Sequence, residues 1–248
     1  MILKNKKNNS LSREQFLLSG VAVLLNGCSG VSLPGDKFSL VDGTRLLRDK
    51  NYIKYSVLET WRYADGRKEK FNRDMDVQYT VEDKLILKKY TQQTFLEKNE
   101  MIDTLYQNED GDVFLVSRQF GPLRSREDRR FFAPLNQGVE ILPGKWSIGY
   151  RGVYSLKVHD SEVQEGIHDF TVTGSESVDT RLGRFDCWLS EGTSGIYSDY
   201  QYPEMKTKYW YAPQLSSFVR MTQKGSWWQD PGNVYIEVET ILLDTNMI

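Results

Sequence analysis

Apolar and polar positions alternate along most of the chain beyond residue 50. Ile53, Tyr55, Val57, Trp61 and Tyr63 are separated by mostly polar neighbours, and Val77, Tyr79 and Val81 alternate with Asp76, Gln78 and Thr80. The same period recurs in Tyr154, Leu156 and Val158, in Phe185, Cys187 and Leu189, and in Val234, Ile236 and Val238. A period of two puts every second side chain on one face of a strand, so these runs predict sheets with one face buried. Asp65-Gly66, Asp110-Gly111, Pro143-Gly144 and Asp230-Pro231-Gly232-Asn233 supply turn chemistry between them. The pattern predicts about ten to thirteen strands in hairpin order, hence an antiparallel all-β fold. No long stretch carries helical periodicity. Any helix is expected to be short, near residues 44–49 or beside Tyr202-Pro203-Glu204.

The first 28 residues break this pattern. Lys4, Lys6, Lys7 and Arg13 precede an apolar run from Phe16 to Leu25, which ends in Leu25-Asn26-Gly27-Cys28. Ten helical residues span about 15 Å, half of a bilayer core, which suits a cleaved signal and not a membrane span. The terminal tetrapeptide resembles the lipobox of bacterial lipoproteins. That resemblance implies that the Cys28 thiol accepts diacylglycerol as a thioether, that Gly27 lets the backbone enter the peptidase cleft, and that Leu25 fills an apolar subsite. Asn26 departs from the Ala, Ser or Thr usual at its position. Ser12-Arg13-Glu14-Gln15-Phe16-Leu17 resembles a twin-arginine export motif with Glu in place of the second Arg, which favours the general secretory route. Ser29 follows the acylated Cys, where an Asp would imply retention in an inner membrane. The resemblance therefore implies a palmitate-type lipid anchor in the outer membrane, facing the periplasm.

Three segments follow: a signal peptide at 1–27, a lipidated tether at 28–48 with Pro34, Gly35 and Gly43, and a β domain at 49–248. Arg130-Phe131-Phe132-Ala133-Pro134-Leu135 echoes Lys208-Tyr209-Trp210-Tyr211-Ala212-Pro213-Gln214-Leu215, so two similar halves, 49–136 and 137–248, are an open alternative to one domain.

From Leu142 to Thr222 the chain resembles a group of periplasmic β-rich proteins of unknown function. The residues that carry the likeness are Pro143-Gly144-Lys145-Trp146, Leu182-Gly183-Arg184-Phe185-Asp186-Cys187, Tyr209-Trp210-Tyr211-Ala212-Pro213 and Val219-Arg220. The group usually has Gly shortly after the Pro, where this chain has Ser216-Ser217. Curved sheets similar to the half-barrels of lipoprotein carriers are what the resemblance implies, and it brings no catalytic residues. Read physically, Gly183 suits a turn before the Phe185 strand, Pro213 ends a strand, and Trp210 is expected on the inner face.

Charge and composition remove several classes. With 32 Lys+Arg against 34 Asp+Glu in 248 residues, the formal charge is −2, and loss of residues 1–27 takes it to −5. Nothing there calls for nucleic acid. Two cysteines do not make a disulfide scaffold, and a chain this long buries a core without staples.

Candidate chemistry is sparse. His159-Asp160 and His168-Asp169 flank an expected hairpin around Gly166. No third ligand accompanies them, so they are read as solvated hairpin residues and no metal or cofactor is called. There is no Gly-x-Ser-x-Gly elbow, Gly192-Thr193-Ser194-Gly195 reads as a hairpin tip, and no Gly-rich loop with a following Lys exists. The chain is therefore read as non-enzymatic. Cys187 belongs to a buried strand face, where a thiol is inert. The run Leu123–Arg130 mixes both charge signs and reads as a solvated loop.

Aromatics are the richest signal: Trp61, Tyr63, Trp146, Tyr150, Tyr197, Tyr200, Tyr202, Trp210, Trp227 and Trp228. They line a concave sheet for an acyl chain, or stack on sugars, or simply fill a β core, since rings favour strands. The leading expectation is an envelope lipoprotein, a binding or assembly module with an apolar concave site for a lipid or lipoprotein-like ligand. Trp146, Trp210 and Tyr150 are its candidate ligand residues. A polysaccharide-binding or structural envelope lipoprotein is the alternative. The membrane, through the lipid on Cys28, is the expected partner.

Overall fold

The computed structural model of the chain describes residues 37–38, 40–41, 43–93, 98–120, 129–132, 138–158, 165–197, 205–229 and 232–248. Cys28 and the signal segment lie outside the described residues, as do His159, residues 121–128 and residues 198–204. The described residues form fourteen strands: β1 (Lys37–Phe38), β2 (Tyr52–Tyr63), β3 (Lys68–Glu82), β4 (Leu85–Gln93), β5 (Lys98–Gln107), β6 (Val113–Phe120), β7 (Arg129–Phe132), β8 (Val139–Leu142), β9 (Arg151–Val158), β10 (Glu165–Thr180), β11 (Gly183–Tyr197), β12 (Met205–Ala212), β13 (Ser217–Gln229) and β14 (Gly232–Thr245). Among the described residues there is no helix.

The sheet bends further than a half-barrel. Strands β2 to β7 and β9 to β14 each pair antiparallel with the next, β14 returns to β2, and β11 also pairs β12. Twelve strands thus form a ring in sequence order, with β8 sharing the edge of β6 with β7 and β1 running parallel to β11. Its thinnest described seam joins β7 to β9 through two residue pairs, Phe131–Val158 and Phe132–Lys157. Ring closure pairs both edges of most of the wall, while the part of β10 from Gly174 to Thr180 is laddered to β11 alone.

The period-two alternation sets which face turns in. Ile53, Tyr55, Val57 and Trp61 on β2 are buried, as are Met75, Val77 and Tyr79 on β3 and Met101 and Leu105 on β5. Tyr209 and Tyr211 on β12 close the interior with Phe218 and Met221 on β13 and Ile236, Val238 and Leu242 on β14. Tyr55 stacks on Phe218 with ring centroids 4.6 Å apart, which ties β2 to β13 across the interior.

One end of the ring is capped by residues 43–51. The Thr44 N–H donates to the Gly144 carbonyl at 2.8 Å, the Leu47 N–H to Gln107 Oε1 at 2.8 Å, and the Lys50 N–H to the Tyr79 carbonyl at 3.0 Å. The short helix expected near 44–49 does not form, because strand ends take the donors that a helical turn would use. Thr44 and Leu47, in the C-terminal part of the expected tether, thus hydrogen-bond into the fold.

β10 and β11 make the longest hairpin, and Gly192–Gly195 lie inside β11 and not at a tip. A Cβ on Gly192 would sit 1.8 Å from the Asp169 carbonyl oxygen, so only glycine permits this approach of the two strands. The register of β10 on β11 slips between Val172 and Gly174. Beyond that bulge the hairpin lies against the outer face of β12, β13 and β14, where the Arg181 guanidinium donates to the Leu243 carbonyl.

Candidate functional site

Trp146 and Tyr150 belong to the connection that leads from β8 into β9, at the capped end. Trp146 is buried and lies flat on Tyr211, centroids 4.1 Å apart, while its Nε1–H donates to Thr44 Oγ1 at 2.8 Å. Phe170 sits between Trp146 and Tyr150, at 6.5 and 6.1 Å. The half-buried Tyr150 hydroxyl donates to Glu140 Oε1 at 2.5 Å, and burial with this carboxylate beside it pushes the phenol pKa up. These two candidate ligand residues are thus brought together, in a packed cluster where the Trp146 Nε1 and Tyr150 hydroxyl are bound to the protein itself.

Trp210 is not with them. It precedes Tyr211 on β12, and successive strand side chains point to opposite faces. Tyr211 meets Trp146 inside, so Trp210 points out, contrary to the inner-face expectation. No surface shared by Trp146 and Trp210 exists. Trp210 is nevertheless covered, because the β10–β11 hairpin crosses over it. Its Nε1–H donates to Glu176 Oε2 at 2.7 Å, and the guanidinium of Arg220 lies 5.0 Å from its ring centroid.

Between hairpin and barrel wall is a recess of about 380 Å³, lined by Glu176, Ser177, Val178, Asp179, Trp210, Arg220, Glu239 and Ile241. Arg220 Nη2 donates to Glu239 Oε1 at 2.6 Å, while its Nε is buried with no protein acceptor. Three carboxylates against one guanidinium make the recess acidic and rich in acceptors. Sequence reading missed it because β10 and β14 meet there only through the fold of the hairpin.

The interior holds a second polar group. Lys88 on β4, Asp103 on β5 and Arg118 on β6 are buried at inward positions, with Lys88 directly opposite Asp103 and Asp103 opposite Arg118. Arg118 Nε donates to Asp103 Oδ1 at 2.7 Å and Nη2 to Oδ2 at 3.0 Å. Burial drives the Lys88 ammonium well below its ordinary pKa, with the Asp103 charge opposing that shift. A visible signal existed: Ile86-x-Lys88-x-Tyr90 and Met101-x-Asp103-x-Leu105 place charges in step with apolar residues. Glu59 is likewise buried, held by Arg73 Nη1 at 3.3 Å and by the Trp61 Nε1–H at 3.1 Å.

His168 corrects the solvated-hairpin reading. It is buried on β10, and burial together with the nearby Arg118 charge lowers its pKa from 6.5 to about 3. Cys187 is a buried free thiol whose pKa burial pushes up. No group of three or more His, Cys, Asp or Glu able to hold a metal occurs among the described residues.

No family model matches the chain, and no curated protein does. Among solved structures, a Bacteroides fragilis chain described as an exported protein with a YmcC-like fold is similar over 83% of this chain and 99% of that one, at 13% identity and a TM-score of 0.41. A Parabacteroides distasonis chain described as a lipoprotein matches over 89% and 100%, at 14% identity and a TM-score of 0.36. The hypothetical lipoprotein YmcC of Escherichia coli matches over 76% and 84%, at 10% identity and a TM-score of 0.29.

Proposed function

We propose that the chain is a lipid-anchored protein of the bacterial envelope, without catalytic machinery, that binds a hydroxyl-rich envelope ligand of the oligosaccharide type. The single observation behind the ligand class is the recess beneath the β10–β11 hairpin. Glu176, Asp179 and Glu239 supply acceptors for sugar hydroxyls, Arg220 supplies donors, and Trp210 and Ile241 supply a limited apolar wall. An acyl chain asks for an open apolar concavity. The inward faces of β2, β4, β5 and β6 instead carry Glu59, Lys88, Asp103 and Arg118, whose desolvation an apolar guest would not relieve.

The envelope location rests on the Leu25-Asn26-Gly27-Cys28 lipobox, with outer-membrane sorting from Ser29. A single myristoyl-length chain binds a membrane with a constant on the order of 10⁴ M⁻¹. A diacylglyceryl cysteine carries two chains, each CH₂ contributing about 0.8 kcal/mol, so release is negligible. A body of formal charge −5 adds no attraction to anionic headgroups.

The test is affinity electrophoresis of the protein in gels containing envelope polysaccharide, beside titration with a fluorescent fatty acid. Retardation that is lost in Asp179→Asn and Glu239→Gln supports the glycan reading. Saturable fatty-acid binding without retardation would replace it with the lipid-carrier reading.

A further inference from the structure

We infer that the capped end of the barrel is a membrane-contacting face, laid on the bilayer that holds the lipid of Cys28. The inference rests on the lipid-anchor reading and adds an orientation to it. Leu46 and Ile148 are 51% and 69% exposed, among the most exposed large aliphatic side chains described. They sit on two segments that meet at the Gly43–Lys145 bridge and are locked by the Trp146–Thr44 hydrogen bond. Val41, 41% exposed, joins them, its carbonyl accepting from Trp188 Nε1.

Single exposed aliphatics are ordinary on a protein surface. What distinguishes these is their place. The chain enters the fold at this end: β1 runs beside β11 at Arg184, and residues 43–51 then form the cap. Lys37 is nine residues beyond Cys28, at most about 30 Å of extended chain. The tether therefore keeps this end close to the lipid surface, while the turn at residues 64–67 lies at the opposite end of strands β2 and β3.

Charge at the cap is mixed. Arg45, Arg48, Lys50 and Lys145 are exposed, and so are Asp49, Glu109 and Asp110. Headgroup attraction is thus nearly balanced, and the aliphatic side chains carry the contact. Two or three of them are too few to hold a protein on a membrane alone. A tether changes the arithmetic, because it presents the face to the bilayer at an effective concentration in the millimolar range. The lipid anchors and the cap orients.

The experiment uses the full lipidated chain in vesicles of phosphatidylethanolamine and phosphatidylglycerol. Ile148→Cys is labelled with an environment-sensitive fluorophore, and Asp65→Cys serves at the far end. Cys28 is blocked by its thioether and Cys187 is buried, so each variant carries one reactive thiol. Lipids bearing a quencher at the headgroup–acyl boundary are expected to quench the label at 148 several-fold more than the label at 65. Leu46→Asp in the Ile148→Cys background should reduce that quenching while the protein stays on the vesicles. Equal quenching at both positions, or stronger quenching at 65, overturns the orientation alone. Protection of the 148 label from an aqueous quencher without quenching by lipid identifies contact with a second copy of the chain there and also overturns it. Failure of the wild type to sediment with vesicles overturns the anchor reading itself.

Discussion

Arg118 grips Asp103 side-on inside the barrel, through two hydrogen bonds of 2.7 and 3.0 Å, with both side chains sealed from solvent. The pair joins β5 to β6 next to Lys88, so the β4–β5–β6 wall is held by charge as well as by its backbone ladder. Desolvation offsets most of what such a pair gains, yet removing one partner strands the other. Arg118→Met is expected to destabilise the fold by about 3–5 kcal/mol in urea unfolding. Replacing both partners, Asp103→Leu with Arg118→Met, is expected to recover a large part of that loss. A double variant no better than the single would mean that the pair itself, and not the orphaned carboxylate, supplies the stability.

His168 gives the fold a defined acid sensitivity. Its pKa is about 3 in the folded protein against 6.5 for an unperturbed imidazole, because it is buried beside the Arg118 charge. The unfolded chain therefore binds a proton below pH 6.5 that the folded chain refuses. The neutral imidazole's contribution is complete above pH 6.5 and is lost as pH falls towards 3, at up to about 1.4 kcal/mol per pH unit. Asp169 and Glu237, held down by Arg151 and Arg62, lose their contribution at lower pH, through the carboxylate range. Urea midpoints measured from pH 7 to 4.5 should fall for the wild type and fall less steeply for His168→Gln. Parallel slopes would show that His168 already takes up its proton in the folded state.

Cys187 should react with a thiol reagent slowly in the native protein and quickly once unfolded, since it is fully buried and its thiol is held protonated by burial. Its Sγ lies 3.5 Å from the Phe185 carbonyl oxygen, a weak bond that a serine hydroxyl can inherit. Cys187→Ser is therefore expected to cost about 1 kcal/mol, the low end for a buried hydroxyl. Differential scanning calorimetry checks the size, and a cost of several kcal/mol would show that the hydroxyl finds no acceptor.

The fold was legible where one face of a strand is apolar. Ile53–Trp61, Val77–Tyr79 and Val234–Val238 all turn inward as their alternation demands. Local turn chemistry also carried through: Gly66 and Gly111 have positive φ, and β12 stops at Ala212, before Pro213. The cap was less legible, because its hydrogen bonds reach partners far along the chain, from Leu47 to Gln107 and from Thr44 to Gly144. Trp210 was misplaced for a related reason. Alternation puts it opposite Tyr211, but a hairpin layered outside the barrel gives both residues a buried environment, and periodicity cannot tell one cover from the other. The recess depends on that same layering, so no run of sequence announces it.

Gly192 tests how closely β10 and β11 must approach where the hairpin leaves the barrel wall. It stands opposite Phe170 in register, and a Cβ there would meet the Phe170 Cα at 2.6 Å as well as the Asp169 carbonyl oxygen. Both are backbone atoms, so no side-chain rotation relieves the overlap. The strands would have to separate, weakening the ladder between Asp169 and Thr193 and tilting Phe170, which packs between Trp146 and Tyr150. Gly192→Ala is expected to destabilise the protein by at least about 3 kcal/mol, at or beyond the upper end of the usual cost of overpacking. Gly174, beside the bulge in the same hairpin, has open space where its Cβ would go. Gly174→Ala is thus the matched control, expected to leave the unfolding midpoint nearly unchanged. A tolerated Gly192→Ala would show that β10 and β11 lie further apart than this geometry requires, and would remove the close contact that holds the hairpin over Trp210.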